Sequence, residues 1–189
     1  MFFVALALGL ILGFVGGGSV AKLLTINVRY GWLLILALLI RVVLIHANLH
    51  WLIAWVPLLQ AIAYGSMILL ALANIRLPGA RFFLLGILAN GLVIMANGGR
   101  MPVSEWAVQV ASGNSSLRFM DHGSLTHEPL GPHSRLTWLA DIIPLPHPFP
   151  FPSVVSIGDI SVSLGIVFLV FWGMRASNGI VKDRRLARG

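Results

Sequence analysis

Arg41 interrupts one long apolar run of this chain and Asp159 opens another. Charged side chains in such surroundings must be paired, hydrated or hydrogen-bonded, because an isolated charge is costly in hydrocarbon. Asp159 is the one acidic residue inside any of the apolar runs, so it is the natural counter-ion for Arg41. The competing arrangement has Arg41 snorkelling to the nearer surface. Further polar residues recur at helical spacing: Gln60 and Tyr64 at i, i+4, Asn90 and Asn97 at i, i+7, and Asp159 with Ser163 at i, i+4, Ser156 lying one turn earlier. This pattern predicts a polar binding site made of Arg41, Gln60, Tyr64, Asn90, Asn97, Asp159 and Ser163. The plainer expectation is that they hydrogen-bond between helices, at about 0.6 kcal/mol each.

Catalytic and metal chemistry are less well supplied. His46 and His50 have the i, i+4 spacing that lets two imidazoles face one metal, but no carboxylate flanks them, so they are weak candidates and no metal site is expected. Haem or chlorin ligation by either is weaker still. His122 follows Asp121 and His127 precedes Glu128, yet sequence neighbours need not face each other. Asp141, flanked by apolar residues, is the loop carboxylate best placed for burial and for an acid–base role. There is no nucleophile elbow and no membrane-protease signature. The chain has no cysteine, which removes thiolate chemistry and disulfides. The balance is against an enzyme, and no cofactor is specified.

The elements that must position these residues follow from composition. Of 189 residues, 58% are hydrophobic and 10% charged, whereas soluble domains run at about 45–50% and about 25%. Mean hydropathy is +0.91. These values exclude a soluble enzyme, a disordered chain and a fibrous repeat, and predict an all-α integral membrane protein forming a single domain over 1–189. Five transmembrane helices are expected at about 2–21, 31–48, 51–75, 79–97 and 155–175, with a long loop at 98–154 and a tail at 176–189. The net charge of +7 is spread over the ends of the apolar runs rather than gathered on one surface, which argues against nucleic acid.

Orientation follows from Lys and Arg. With the N-terminus outside, Lys22, Arg29, Arg76, Arg81, Arg175, Lys182, Arg184, Arg185 and Arg188 are cytoplasmic, against Arg100, Arg118 and Arg135 in the external loop. The expected topology is therefore N-out, C-in, which puts the polar residues above in the outer half of the bilayer. A cleaved signal peptide is disfavoured, since no basic residue precedes the first apolar run while Lys22 follows it. Ala5, Gly9, Gly13 and Gly17 form a smooth ridge, expected to pack within the bundle rather than to make a dimer. No internal repeat supports an inverted-repeat transporter.

The external loop is expected to form a cap of short interfacial helices and a proline-rich extended segment. Val103, Trp106, Ala107 and Val110 fall on one helical face behind Pro102, and Leu136, Trp138, Leu139, Ile142 and Ile143 make a second interfacial piece. Pro144, Pro146, Pro148, Pro150 and Pro152 alternate with other residues, which forbids a helix and predicts an extended strap laying Phe149 and Phe151 over the bundle. Residues 112–133, polar and Gly-rich, are expected to be the loosest part. The Asn114-Ser115-Ser116 sequon is too short a match to carry weight.

Asn97-Gly98-Gly99-Arg100-Met101-Pro102-Val103, then Trp138-Leu139-Ala140-Asp141, the proline run and Ser156-Ile157-Gly158-Asp159 occur in that order. The arrangement resembles a bacterial family of small polytopic membrane proteins of unknown function, in which glycine is expected where Ala140 stands. The resemblance implies a multi-pass protein of the bacterial plasma membrane and supplies no catalytic residues. In physical terms, Gly98-Gly99 predicts a left-handed helix cap, and Asp159 sits where a helix dipole favours negative charge. The expected function is non-enzymatic: an accessory subunit of a membrane complex, or a binder of a lipid-like or quinone-like molecule in an outward-facing pocket under the loop. The alternative is a membrane enzyme acting at the external face through His and Asp residues of the loop. Expected partners are membrane lipids, and other membrane subunits or an apolar small molecule.

Overall fold

The computed structural model describes residues 1–46, 50–112 and 124–175. Helix α1 spans Phe2–Val15, α2 Val20–Leu23, α3 Trp32–His46, α4 Val56–Ala73, α5 Ala80–Ala96, α6 Glu105–Ser112 and α7 Ile157–Arg175. Apolar side chains on every face explain why the long helices have no polar side: each is buried along one stripe and apolar elsewhere.

Among the described residues, two helical stretches are long and apolar enough to cross a membrane: Trp51–Ala73, with 23 residues, and Ile157–Arg175, with 19. The first is α4 preceded by a 3-10 turn at His50–Trp55, and Pro57 sits in the first turn of α4, where its missing N–H costs nothing. Helices α1, α3 and α5 have 14, 15 and 17 residues. They therefore rise about 21 to 26 Å, short of a hydrocarbon layer of about 30 Å. The expected span 2–21 is broken at Gly16–Gly18, where Gly17 has φ +74° and the chain turns into α2.

The helices pack in the order α1, α7, α5, α4, α3. Paired glycines bring α5 and α7 together: Gly86 lies against Gly158 and Gly79 against Gly165, and a Cβ at any of the four would strike the facing backbone. The ridge of α1 is an internal packing face, with Ala5, Gly9 and Gly13 buried and Val170 and Met174 of α7 filling the space over the glycines.

Strands in the long loop correct the all-α expectation. Strand β1, Met101–Val103, pairs in parallel with β2, His127–Pro129, and β3, Ile143–Leu145, pairs antiparallel with β4, Ser153–Val155. Pro102 thus belongs to a strand and does not open a helix. Helix α6 starts later, on Ser104, whose Oγ accepts the Ala107 N–H at 3.3 Å. Its buried face is Ala107, Val108 and Ala111, while Trp106 stands 63% exposed. The proline run is the tip of the β3–β4 hairpin, and Phe151 points away at 58% exposure instead of covering the bundle. Of the stretch expected to be loose, 127–129 pairs with β1, and 113–123 lies outside the described residues.

The loop is packed onto the helices. Met101 and Leu139 share one buried cluster with Tyr64, Ile94 and Val162, and Leu125 joins Leu44, Leu52 and Val56 in another. The end of α5 shows how the chain enters it. Gly98 and Gly99 have φ +65° and +90°, and the Gly99 N–H reaches back to the Ile94 carbonyl at 2.9 Å. This is the expected left-handed cap.

Candidate functional site

Asp159 lies in the first turn of α7 and is held by three hydrogen bonds. Its N–H donates to Ser156 Oγ at 3.0 Å and its Oδ2 accepts the Ser156 N–H at 3.2 Å, a reciprocal box that satisfies two otherwise orphaned donors at a helix start. Its Oδ1 accepts from Asn90 Nδ2 at 2.8 Å, and Ser156 Oγ donates to Asn90 Oδ1 at 2.9 Å. Gly158 gives the Asn90 amide room to lie against α7, since a Cβ there would overlap it.

Arg41 is half-buried on α3 and donates through Nη1 to the Tyr64 hydroxyl at 3.4 Å. No ion pair within 4.0 Å joins it to Asp159 among the described residues. Both nonetheless face the same small cavity, of about 50 Å³, lined by Arg41, Tyr64, Asn90, Ile94, Met101, Thr126, His127, Asp141 and Asp159. Helices α3, α4, α5 and α7 supply one side of it and the long loop the other.

Strand β1 positions the loop side. The Asp141 N–H donates to the Pro102 carbonyl at 3.0 Å and its own carbonyl accepts the Ser104 N–H at 2.9 Å, while on the opposite edge the Met101 N–H reaches the Thr126 carbonyl at 2.9 Å. Asp141 and His127 are thus docked on either edge of one three-residue strand. Asp141 is 7% exposed, and its Oδ1 is buried with no hydrogen-bond partner among the described residues. Burial, reinforced by repulsion from Asp159 and only partly offset by Arg41, pushes its carboxyl up to about 8. His127 Nδ1 shares a hydrogen with Thr126 Oγ1 at 2.9 Å, and its Nε2 stands 3.9 Å from Asp141 Oδ2. Desolvation of the part-buried ring, followed by the Arg41 charge, lowers its imidazole to about 4. At neutral pH this contact is therefore between two uncharged groups and not a salt bridge.

Of the predicted site residues, Arg41, Tyr64, Asn90 and Asp159 converge on the cavity. Gln60 and Ser163 do not line it. Both are buried, and neither Gln60 amide atom nor Ser163 Oγ has a partner among the described residues. Asn97 serves elsewhere: its Nδ2 donates to the carbonyls of Val93 and Arg135, at 2.7 and 2.9 Å, and its Oδ1 accepts the Arg135 N–H at 2.8 Å. It lines an open groove of about 560 Å³ with Glu128, His133 and Arg135. Strand β2 divides the two spaces, His127 facing the cavity and Glu128 the groove. His46 ends α3 with its Nδ1 on the Val42 carbonyl at 3.0 Å, and His50 belongs to a separate element. Among the described residues no group of three His, Asp or Glu could hold a metal ion. His122 and Asp121 lie outside the described residues.

The sequence pattern singled out Asp141 for burial but missed Thr126 and His127 as cavity residues. The available signal was Leu125, an apolar residue in a polar stretch, which is 7% exposed and anchors the segment to the bundle.

An uncharacterized protein of Thermotoga maritima is 32% identical over 120 residues, covering 64% of this chain. The match spans 66% of that relative's length, just under two thirds. No solved structure is similar. Residues 25–171, which hold every residue lining the cavity, match a family described as "Family of unknown function (DUF5317)", and the chain belongs to that family.

Proposed function

We propose that this is a multi-pass protein of the bacterial plasma membrane that works by binding rather than by catalysis, as an accessory subunit or small-ligand binder with an outward-facing polar pocket under its loop. Five helices cross the membrane in this reading, the shorter ones with their ends in the interfacial layer, and the N-terminus is outside. The outward surface of the bundle supports it: Phe3, Ile35, Leu39, Leu69, Leu85 and Leu92 are all about 60% exposed or more, an apolar surface that lipid would cover.

The observation that carries the binding role is the small, partly enclosed cavity, where one cation, two carboxyls, a phenol, an amide and an imidazole meet. At about 50 Å³ it suits an ion or a few waters, whereas sites for whole organic ligands run to about 300–1,000 Å³. A lipid headgroup or quinone ring would have to use the open groove beside Asn97 and Arg135.

An orientation test is direct because the chain has no cysteine. His133→Cys should react with an impermeant maleimide on intact cells, and Thr25→Cys only after permeabilisation. The reverse would overturn the outward-facing pocket. Co-purification in mild detergent tests the partner class, and recovery of the chain with neither a partner subunit nor a bound species would count against an accessory or binding role.

The convergence of His127 and Asp141 favours a second reading, an enzyme acting at the same face. Against it, the nearest hydroxyl, on Thr126, is 4% exposed. Labelling of Thr126 by a fluorophosphonate would turn the assignment to that reading.

A further inference from the structure

We propose that Asp141 is a proton-binding site, loaded from the medium around the long loop through His127 and discharging into the cavity shared with Arg41 and Asp159. This deepens the binding reading above and rests on it, naming the ligand as a proton rather than an organic molecule or a metal ion.

Four geometric facts carry the inference. Asp141 Oδ1 is buried without a partner among the described residues while its backbone is pinned at both N–H and C=O, so the side chain is held over the cavity with an acceptor turned into it. A carboxyl left in that state is satisfied by a proton or by water. The second carboxyl, Asp159, has its oxygens committed to Asn90 and to the Ser156 N–H, so it is an anchored acceptor and Asp141 the adaptable one. His127 spans the gap to solvent: its side chain is 31% exposed, its Nδ1 is bonded to Thr126 Oγ1, and its Nε2 lies 3.9 Å from Asp141 Oδ2, a separation closed by one water or a small ring rotation. The cavity is polar and only partly enclosed, with room for a few waters to carry the proton onward.

The charges around Asp141 fit a proton better than the other small ligands. Arg41 faces it from α3, Tyr64 from α4 and Asp159 from α7, with His127 from β2, while Glu105 of α6 is exposed. One fixed cation repels a metal ion, and two carboxyls repel an anion. A proton on Asp141 leaves Arg41 balanced by Asp159 alone. With Nδ1–H donating to Thr126 Oγ1, His127 Nε2 is an acceptor for the Asp141 O–H, so both groups are uncharged between transfers. In loading, the proton adds to Nε2 from water, and the imidazolium passes it to the Asp141 carboxylate and returns to neutral. The upward shift of the Asp141 carboxyl agrees with this direction of transfer.

The test is a pH titration of the purified full chain in detergent by infrared spectroscopy. The carbonyl stretch of a protonated, buried carboxyl should be present at neutral pH, move on exchange into D2O, and disappear with a midpoint near 8. Asp141→Asn should abolish it. Asp159→Asn, which removes a repelling charge, should move the midpoint down, and this keeps the test open if the first variant does not fold. His127→Phe should leave the midpoint near that of the wild type and slow proton exchange with the medium by tenfold or more. Titration of every carboxyl in the ordinary range of about 4 would overturn the proposal, as would persistence of the band in a folded Asp141→Asn protein. A titrating Asp141 in a protein whose His133→Cys is shielded on intact cells would keep the proton site and overturn the outward orientation.

Discussion

Asn90 and Asp159 are bonded across the α5–α7 contact, Nδ2 to Oδ1 at 2.8 Å, so the side-chain partner of this carboxylate is an amide and not the guanidinium of Arg41. A double-mutant cycle should read that difference. Asn90→Ala with Asp159→Ala should show a coupling of about 1–3 kcal/mol, as groups in one buried network do. Arg41→Gln with Asp159→Ala should couple more weakly, through the cavity rather than by contact. Stability in detergent is the measurement, and a larger Arg41–Asp159 coupling would show that the two side chains meet.

The glycine crossing makes a second prediction. Gly158→Ala places a methyl group on the Asn90 amide and should destabilise by about 1–3 kcal/mol through overpacking. Gly65→Ala, within α4 but with nothing within 4 Å of the new Cβ, should instead be neutral or stabilise by up to about 1 kcal/mol. Equal effects in the two variants would mean that α5 and α7 do not approach at these glycines.

The loop pair sets a pH dependence of stability. Asp141 is raised from 3.8 to about 8, so between those values the unfolded chain releases a proton that the folded protein keeps, and stability falls as pH rises. His127 is lowered from 6.5 to about 4, so in that window the unfolded chain takes up a proton that the folded protein refuses, and stability falls as pH drops. The two slopes oppose each other between about 4 and 6.5, leaving a plateau, and above it only the Asp141 loss remains, up to about 8. Thermal unfolding across this range should show that plateau and decline. In Asp141→Asn the decline above 6.5 should vanish and an acid-side loss should emerge.

Asn97 offers a test confined to the loop. Its amide holds both backbone groups of Arg135, so Asn97→Ala should speed protease cleavage around 131–136 several-fold while leaving the pH profile of unfolding unchanged. A shifted pH profile would show that the groove and the cavity are coupled.

Much of the helical frame was legible because it depends on local rules. Long apolar runs marked the helices, Gly98-Gly99 marked the end of α5, and Ser156 and Asp159, three apart, marked the start of α7. Where the readings failed, the deciding contact was distant in sequence. Strand β1 pairs with a segment some 26 residues on, and three residues of alternation are too few to announce a strand before its partner is known. Pro102 followed by apolar residues read as a helix start for the same reason. Within the site, helical spacing placed Tyr64, Asn90 and Asp159 well, but depth alone could not tell that Asn90 would reach Asp159 first, nor that Asn97 would turn to the loop backbone. His127 was hidden by its polar neighbours, although Leu125 beside it is a core residue.

The two faces of β2 have a consequence for how errors in this loop would be felt. A slip of one residue against β1 would exchange the side chains presented on each side, carrying Glu128 inward and His127 outward. Glu128 and Asp159 would then share a partly enclosed space beside a single guanidinium, a like-charge arrangement that disfavours the slipped alignment. The alternation of a basic ring with an acid along so short a ladder therefore acts as a check digit: the observed alignment keeps a further carboxylate away from Asp159, and the residues that equip the cavity also help to register the strand that closes it.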